Sequence, residues 1–194
     1  MKKKRALISG ISGQDGAYLS KFLLEKNYTV FGGERQNASG SLWRLEELGI
    51  REKVEVLPFE LLEENNINDV IRKGQFDEIY NLAAQSFVGN SYRSPIFTSN
   101  VNALGVARIL EAIRHFSPKS KFYQASTSEM YGNAKSAKQN EQTDFRPVSP
   151  YAISKLYSHW MVNMYRDAYN LYCCSGILFN HESPLRGEEF VTKK

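Results

Sequence analysis

Apolar and polar positions along the chain form two alternating patterns, short apolar runs and longer stretches with helical spacing. The apolar runs predict six strands, at residues 5–9, 28–31, 54–57, 78–82, 121–125 and 172–179. Between them, apolar residues recur at helical spacing and predict helices at 15–26, 42–48, 67–73, 101–116 and 151–169. This alternation predicts βαβ units and an α/β fold with a doubly wound parallel sheet, occupying residues 1–194 as one domain.

Composition and charge narrow the possible partners. The chain has 194 residues, 42% hydrophobic and 24% charged, which is ordinary for a globular domain. The net charge of +4 comes partly from residues 2–5, and no basic stripe with interleaved aromatics follows, so no nucleic-acid partner is expected. No apolar run approaches the roughly 20 residues of a membrane span, so we expect no membrane partner and a cytoplasmic location. Scattered histidines and the adjacent Cys173 and Cys174 predict no metal site.

A glycine-rich turn separates the first predicted strand from the first helix. Residues 7–16 read LISGISGQDG, with glycines at 10, 13 and 16. The first glycine permits a tight turn, the second lets the backbone approach a pyrophosphate, and the third permits close packing of helix on strand. The N-terminus of the helix adds N–H groups and the positive end of its dipole. The turn therefore predicts dinucleotide binding by a sheet of the Rossmann type.

The end of the second predicted strand bears on which dinucleotide is bound. Residues 32–36 read GGERQ. An acidic residue there binds the ribose 2′-hydroxyl of NAD, whereas an arginine accommodates the 2′-phosphate of NADP. Both types are present, as Glu34 and Arg35, so both cofactors stay open. We favour NADP, because the guanidinium of Arg35 can grip a phosphate with its fork of donors.

Two further motifs carry candidate acid–base chemistry. The loop QASTSEMYG, at 124–132, follows the fifth predicted strand and displays hydroxyls and a carboxylate. Tyr151 and Lys155 lie one helical turn apart on one face. A tyrosine with its ordinary pKa near 10 is a poor base at pH 7, and a nearby ammonium and a positive nicotinamide ring should lower that pKa. Because ligands of open α/β sheets sit at the carboxyl ends of strands, we expect both motifs to converge on one nicotinamide.

These motifs resemble the extended short-chain dehydrogenase/reductase family, and more narrowly its GDP-mannose 4,6-dehydratase branch. The resemblance runs from residue 5 to residue 194. The matching stretches are GISGQDGAYL (10–19), EIYNLAAQSFV (78–88), FYQASTSEMYG (122–132), SPYAISKLY (149–157) and GILFNHESPLRGEEFVTKK (176–194).

The resemblance implies a set of site residues. It places NADP against Gly10, Ile11, Ser12, Gly13, Gln14, Asp15, Arg35, Glu60, Leu61, Leu82, Ala83, Ala84, Gln85, Ser86, Lys155, His181 and Arg186. It places the nucleotide-sugar substrate against Ser86, Thr127, Glu129 and Asn180. The implied catalytic set is Thr127, Glu129, Tyr151 and Lys155. The helices after the fourth and fifth strands resemble the family's dimer-forming pair, so a homo-oligomer, a dimer or tetramer, is also implied.

The implied reaction converts GDP-mannose to GDP-4-keto-6-deoxymannose through hydride transfer to bound NADP and back. Tyr151, supported by Lys155, would take the 4-hydroxyl proton, and Thr127 would hydrogen-bond the same oxygen. Once C4 is a ketone, Glu129 would remove the C5 proton and help expel the 6-hydroxyl. A reductase or 4-epimerase of the same fold needs no carboxylate at that position, so Glu129 discriminates between these activities.

Other activities stay open, and the sequence departs from the family pattern in places. The alternatives are a dehydratase of another GDP-sugar such as a heptose, a reductase or epimerase, and a truncated NADP-binding module without turnover. Gln36 stands where a second arginine is usual, and Glu60 replaces an aspartate. Family members continue into a C-terminal part that binds the nucleotide sugar, so we expect that substrate domain beyond residue 194, largely absent from this chain.

Overall fold

The computed structural model describes residues 3–35 and 42–187. Its strands are β1 (Arg5–Ser9), β2 (Thr29–Glu34), β3 (Val54–Pro58), β4 (Glu78–Asn81), β5 (Lys121–Thr127) and β6 (Cys173–Leu178). Its α-helices are α1 (Gln14–Glu25), α2 (Trp43–Glu47), α3 (Glu64–Gly74), α4 (Val88–Arg93), α5 (Pro95–Ser99), α6 (Gly105–Phe116) and α7 (Pro150–Tyr169). Short 3₁₀ segments at Arg51–Lys53 and Ser128–Met130 and a π-helical segment at Asn100–Leu104 complete the order.

All six strands are parallel, in the order β3-β2-β1-β4-β5-β6. The strand order reverses between β1 and β4, where Ser9 is paired with Gly33 on one side and with Asn81 on the other. In open α/β sheets, such a switch point opens a crevice at the carboxyl ends of the strands. The doubly wound parallel sheet predicted from the sequence is confirmed.

Apolar side chains of the central strands pack on both faces of the sheet. Along β1, Leu7 belongs to a cluster that includes Ile109 and Phe122, whereas Ile8 belongs to a second cluster with Val30. Successive residues of a strand point to opposite faces, so each of these buried side chains serves a different core layer. Full burial of one such side chain stabilises the fold by roughly 1.5–3 kcal/mol.

The structure differs from the predicted elements in two informative places. Helices α4 and α5 occupy a stretch in which we predicted no helix. Both are short and leave Tyr92 and Ile96 exposed, so the sequence shows no apolar face at helical spacing there. Strand β5 continues two residues further than predicted, because Thr127 finds a parallel partner at Leu178 of β6. Ser126 and Thr127 therefore lie on the strand and not in the loop after it.

Helix α7 is the longest described helix and carries both Tyr151 and Lys155. Its start is fixed by Pro150 in the first turn and by the N-cap Ser149, whose side chain accepts the Ala152 N–H at 3.0 Å. Within residues 3–35 and 42–187, none of the helices combines the length and apolar character needed to cross a bilayer. The same part of the chain holds no cluster of three or more His, Cys, Asp or Glu side chains suited to a metal ion.

Candidate active site

The glycine turn sits at the carboxyl end of β1, with no room for a side chain at Gly10 or Gly16. Gly10 has a left-handed φ of 74°, and a Cβ there would lie 2.8 Å from the backbone nitrogen of Ala83. A Cβ at Gly16 would lie 2.4 Å from the Gly10 carbonyl oxygen. Gly13 is the N-cap of α1, and no side chain caps that helix end. The turn thus leaves the first N–H groups of α1 uncapped by side chains and the backbone open to an anionic ligand.

Residues 10–15 meet the rest of the site in different ways. Ile11 is fully buried, and its side chain packs against Gly32. The Ser12 carbonyl accepts a hydrogen bond from Arg44 Nη1 at 2.9 Å. Gln14 Oε1 accepts the Ser183 hydroxyl at 2.7 Å. The turn is therefore tied to α2 and to the segment after β6.

His181 links that last segment to the start of α1. Its Nε2 lies 2.8 Å from Asp15 Oδ1, and its Nδ1 lies 2.8 Å from the Phe179 carbonyl oxygen. The hydrogen bond with the Phe179 carbonyl, followed by that with Asp15, raises the pKa of His181 above its ordinary value. Asn180, just before it, is exposed, and Arg186 lies 3.4 Å from Glu182 in an ion pair. Asp15 and His181, each predicted to contact the cofactor, are hydrogen-bonded to each other.

The segment 82–86 after β4 forms a wall directly against the glycine turn, because a Cβ at Gly10 would lie 2.8 Å from the Ala83 nitrogen. Asn102 anchors it on both sides: its Oδ1 accepts the Gln85 N–H at 2.8 Å, and its Nδ2 donates to the Gln85 carbonyl at 3.0 Å. Leu82, Ala83, Ala84 and Gln85 are half-buried, and Ser86 is exposed. This wall stands beside β1 at the switch point, and its contact with the nicotinamide stays a prediction.

Strand β3 ends farther along the same edge of the sheet. The Glu60 N–H donates to Asn66 Oδ1 at 2.8 Å, and the Glu60 carboxylate accepts the Leu62 N–H of the same loop. The side chain of Leu61 is buried in the core and is only 4% exposed. The Leu61 side chain is therefore not available to a nucleotide, and its carbonyl already accepts Arg108 Nη1 at 3.0 Å.

Three of the four expected catalytic side chains meet at the end of β5. The Thr127 Oγ1 accepts the Glu129 N–H at 3.2 Å, and the Thr127 hydroxyl lies close enough to the Tyr151 phenol to lower its pKa. Thr127 and Tyr151 are buried, whereas Glu129 is half-buried. The strand end, the following 3₁₀ segment and the first turn of α7 thus place a hydroxyl, a carboxylate and a phenol together.

Lys155 lies beneath this cluster and is only 3% exposed. Its Nζ donates to the Ala125 carbonyl at 2.9 Å and lies 5.9 Å from the centroid of the Tyr151 ring. Burial lowers the pKa of Lys155 to about 8. The side chain is held by a backbone carbonyl of β5 while its charge stays close to the phenol.

The expected lowering of the Tyr151 pKa is wrong for the protein groups alone. Burial raises the pKa of Tyr151, the hydrogen bond with Thr127 lowers it, and the charge of Glu129 raises it further. The Lys155 ammonium is directed to the Ala125 carbonyl, and no lowering of the Tyr151 pKa by Lys155 offsets the desolvation of the phenol. Tyr151 is therefore a protonated phenol at neutral pH in this environment.

Comparison with known proteins assigns this chain to a family. The model of the family described as GDP-mannose 4,6 dehydratase matches residues 7–194. The chain belongs to this family. A GDP-mannose 4,6-dehydratase from Vibrio cholerae is 48% identical over 100% of this chain and 54% of its own length. One from Drosophila melanogaster is 47% identical over 100% of this chain and 51% of its own length. The chain spans about half the length of these curated relatives.

Solved structures agree with this family fold. A dTDP-glucose 4,6-dehydratase from Streptomyces venezuelae, solved with NAD bound, matches with a TM-score of 0.86 at 22% identity, covering 97% of this chain and 60% of its own. A UDP-N-acetylglucosamine 4-epimerase from Methanobrevibacter ruminantium matches with a TM-score of 0.86 at 22% identity, covering 98% and 59%. At this identity the likeness establishes the fold of the family domain.

Sequence reasoning did not find two residues that hold the site of this family member together. Arg44 donates from Nε to the Leu185 carbonyl at 2.7 Å, in addition to its bond with Ser12, and so joins the glycine turn to the segment after β6. Asn102 fixes the wall at Gln85. Both act on backbone atoms far away in sequence, so no local motif could have revealed them.

Proposed function

We propose that the chain is the nucleotide-binding and catalytic part of a GDP-mannose 4,6-dehydratase, converting GDP-mannose to GDP-4-keto-6-deoxymannose. The family match and the relatives so named support the substrate and the reaction. The observation that carries the proposal is the placement of Glu129 beside Thr127 and Tyr151 at the carboxyl end of β5. A substrate domain beyond residue 194 forms part of this proposal.

The glycine turn fits a nicotinamide dinucleotide. Side chains are excluded at Gly10 and Gly16, and α1 begins without a side-chain cap, so a pyrophosphate can approach backbone N–H groups. A bound nicotinamide would accept the hydride from C4 of the sugar and later return it to C6. We propose NADP on the basis of Arg35, which is exposed at the end of β2. Gln36, the departure from the usual second arginine, lies outside the described residues.

Tyr151 takes the proton of the 4-hydroxyl in this proposal. Because burial raises its pKa, its proton transfer depends on help from positive charge. Lys155, with a pKa of about 8, remains mostly cationic at pH 7 and supplies part of that charge from beneath the ring. Thr127, whose hydroxyl lies near the phenol, would hydrogen-bond the same reacting oxygen.

Glu129 performs the elimination. After C4 becomes a ketone, the C5 proton is acidic, and the carboxylate removes it. The 6-hydroxyl then leaves as water with a proton delivered by the same carboxyl group, and a proton returned to C5 completes the balance when C6 is reduced. The hydrogen bond from the Glu129 N–H to Thr127 Oγ1 holds the Glu129 backbone beside Thr127, from where the carboxylate would reach the C5 proton.

The experiment is a comparison of Glu129→Gln with a matched control. The purified protein is incubated with GDP-mannose and NADP, and the 4-keto product is measured by mass spectrometry. We expect Glu129→Gln to lower the rate by at least about a hundredfold, because a general acid–base group contributes 10²–10⁴-fold. Glu141→Gln, an exposed acid of the loop before α7, should keep the wild-type rate. Undiminished product from Glu129→Gln would contradict the assigned reaction.

A second candidate is a nucleotide-binding module without turnover, which needs only the glycine turn and the uncapped start of α1. Tight dinucleotide binding by the wild-type protein without any 4-keto product would support it. Oxidation of NADPH when a keto-sugar is supplied as the substrate would instead support a reductase.

We further propose a homo-oligomer that forms through α5 and α7. The outer face of α7 exposes four large apolar side chains at helical spacing: Ile153, Tyr157, Trp160 and Met164. On α5, Ile96 is 75% exposed. Such a stripe is typical of an interaction surface. The cytoplasmic location stays a prediction.

A further inference from the structure

The end of β2 carries a carboxylate whose hydrogen bonding is incomplete. Glu34 is the last residue of β2, and its Oε2 is buried away from solvent. Among the described residues, no donor reaches this oxygen, and no ion pair involves Glu34. A buried acceptor without a donor is unfavourable, so its retention at a strand end calls for a donor supplied from elsewhere.

The position of Glu34 relative to the glycine turn indicates where that donor comes from. The Gly10 N–H donates to the carbonyl of Gly33, the residue just before Glu34, at 3.1 Å. Gly32 packs against the Ile11 side chain so closely that a Cβ there would lie 2.6 Å from it. The turn and the end of β2 are therefore locked together, with Glu34 one residue beyond the shared hydrogen bond.

A dinucleotide with its pyrophosphate on the glycine turn places the adenosine ribose over the end of β2. The hydroxyls of an unphosphorylated ribose are donors and would satisfy the Glu34 oxygen. A 2′-phosphate is an acceptor and an anion, so it would be repelled by this carboxylate and would turn to Arg35, which is exposed next to it. Adjacent residues thus serve the two forms of the ribose separately.

We infer that Glu34 is a specificity-determining residue that makes this chain accept NAD as well as NADP. The inference rests on the proposed function only in requiring that a nicotinamide dinucleotide binds at the glycine turn. NAD is held by hydroxyl donation from its ribose to Glu34, and NADP by its 2′-phosphate on Arg35. The family model and the named relatives do not specify this choice.

The test measures the direct binding of NAD⁺ and NADP⁺ to the purified protein by isothermal titration calorimetry, without any sugar present. We expect the two dissociation constants of the wild-type protein to agree within about tenfold. Glu34→Gln should weaken NAD⁺ by about tenfold, because it removes a charge-assisted hydrogen bond, and should leave NADP⁺ unchanged or tighter. Glu52→Gln, an exposed acid on the 3₁₀ segment before β3, is the matched control and should change neither constant.

A second variant keeps the inference testable if Glu34→Gln does not fold. Arg35→Gln should weaken NADP⁺ by about tenfold and leave NAD⁺ unchanged, so that NAD⁺ becomes the tighter ligand. Three outcomes would overturn the inference: NAD⁺ binding more than about a hundredfold weaker than NADP⁺ in the wild type, equal weakening of both by Glu34→Gln, or continued NADP⁺ preference in Arg35→Gln. Each of these leaves the proposed dehydratase intact, whereas failure of both dinucleotides to bind contradicts the proposed function as well.

Discussion

At the carboxyl end of β1 the chain excludes side chains, whereas at the carboxyl end of β5 it concentrates them. Gly10 and Gly16 leave only backbone where the turn meets α1, and a Cβ at either would collide with neighbouring backbone atoms. Around β5, by contrast, Thr127, Tyr151 and Lys155 are all buried polar side chains. The first region is constrained by the lack of space for a Cβ, and the second by the cost of removing polar groups from water. Adding a side chain to the first should therefore destabilise the fold, whereas removing a buried charge from the second should stabilise it.

The largest effect is expected at Gly10. Gly10→Ala combines a left-handed φ of 74° with a Cβ 2.8 Å from the Ala83 nitrogen, and we expect a loss of at least about 4 kcal/mol in the free energy of unfolding. Gly49 is a matched control because its φ is 65° and nothing lies within 4 Å of a Cβ there. Gly49→Ala should cost only about 1 kcal/mol. Urea denaturation measures both, and equal costs would show that strain alone, without the close approach, governs Gly10.

The next effect concerns Lys155, on the desolvated side of the comparison. Burial lowers its pKa from 10.5 to about 8, so the folded protein binds this proton more weakly than the unfolded chain does. Stability therefore rises with pH between about 8 and 10.5, and below pH 8 the buried charge costs up to about 3 kcal/mol. Lys155→Met should be more stable relative to wild type at pH 7 than at pH 10.

Urea midpoints of both proteins across this pH range measure the Lys155 effect. The difference between the two proteins isolates Lys155 from the other groups that titrate there. Part of the stability that Lys155→Met gains at pH 7 is offset, because the Ala125 carbonyl loses its hydrogen-bond donor. A difference that stays constant from pH 7 to pH 10 would contradict a depressed Lys155 pKa.

The same contrast explains how much could be predicted from the sequence. The order of strands and helices followed from local periodicity, and the glycine turn from the spacing of three residues, because both signals lie in contiguous sequence. The extra residues of β5 depended on pairing with β6, and α4 and α5 bury too little to leave a pattern. The meeting of Thr127, Glu129 and Tyr151 could be expected from topology, since strand ends and helix starts converge at one edge.

Electrostatics and remote contacts could not be predicted in this way. The direction of the Tyr151 pKa shift depends on how deeply the phenol is buried and on where the Lys155 ammonium points, and neither is encoded in a four-residue spacing. Arg44 binds two backbone carbonyls more than thirty residues away on either side, so its sequence context carries no mark of its role. The buried Oε2 of Glu34 has no hydrogen-bond partner among the described residues, and this too depends on packing that the sequence does not reveal.

The smallest effect joins the two regions at the edge of the glycine turn, where His181 bridges the segment after β6 to Asp15. Its raised pKa means that the stabilisation is fully present below pH 6.5 and is lost as pH rises through the folded-state pKa. Because both side chains are partly exposed, we expect the interaction of His181 with Asp15 to stabilise the fold by only about 0.5 kcal/mol. His181→Gln should therefore be less stable than wild type at pH 6, by an amount that shrinks toward pH 8.5. A double-mutant cycle with Asp15→Asn, followed by thermal melts at both pH values, measures the coupling, and 0.5 M salt should reduce it. Coupling that is the same at pH 6 and pH 8.5 would mean that the neutral imidazole makes the same contact, and that the link between the two regions does not depend on charge.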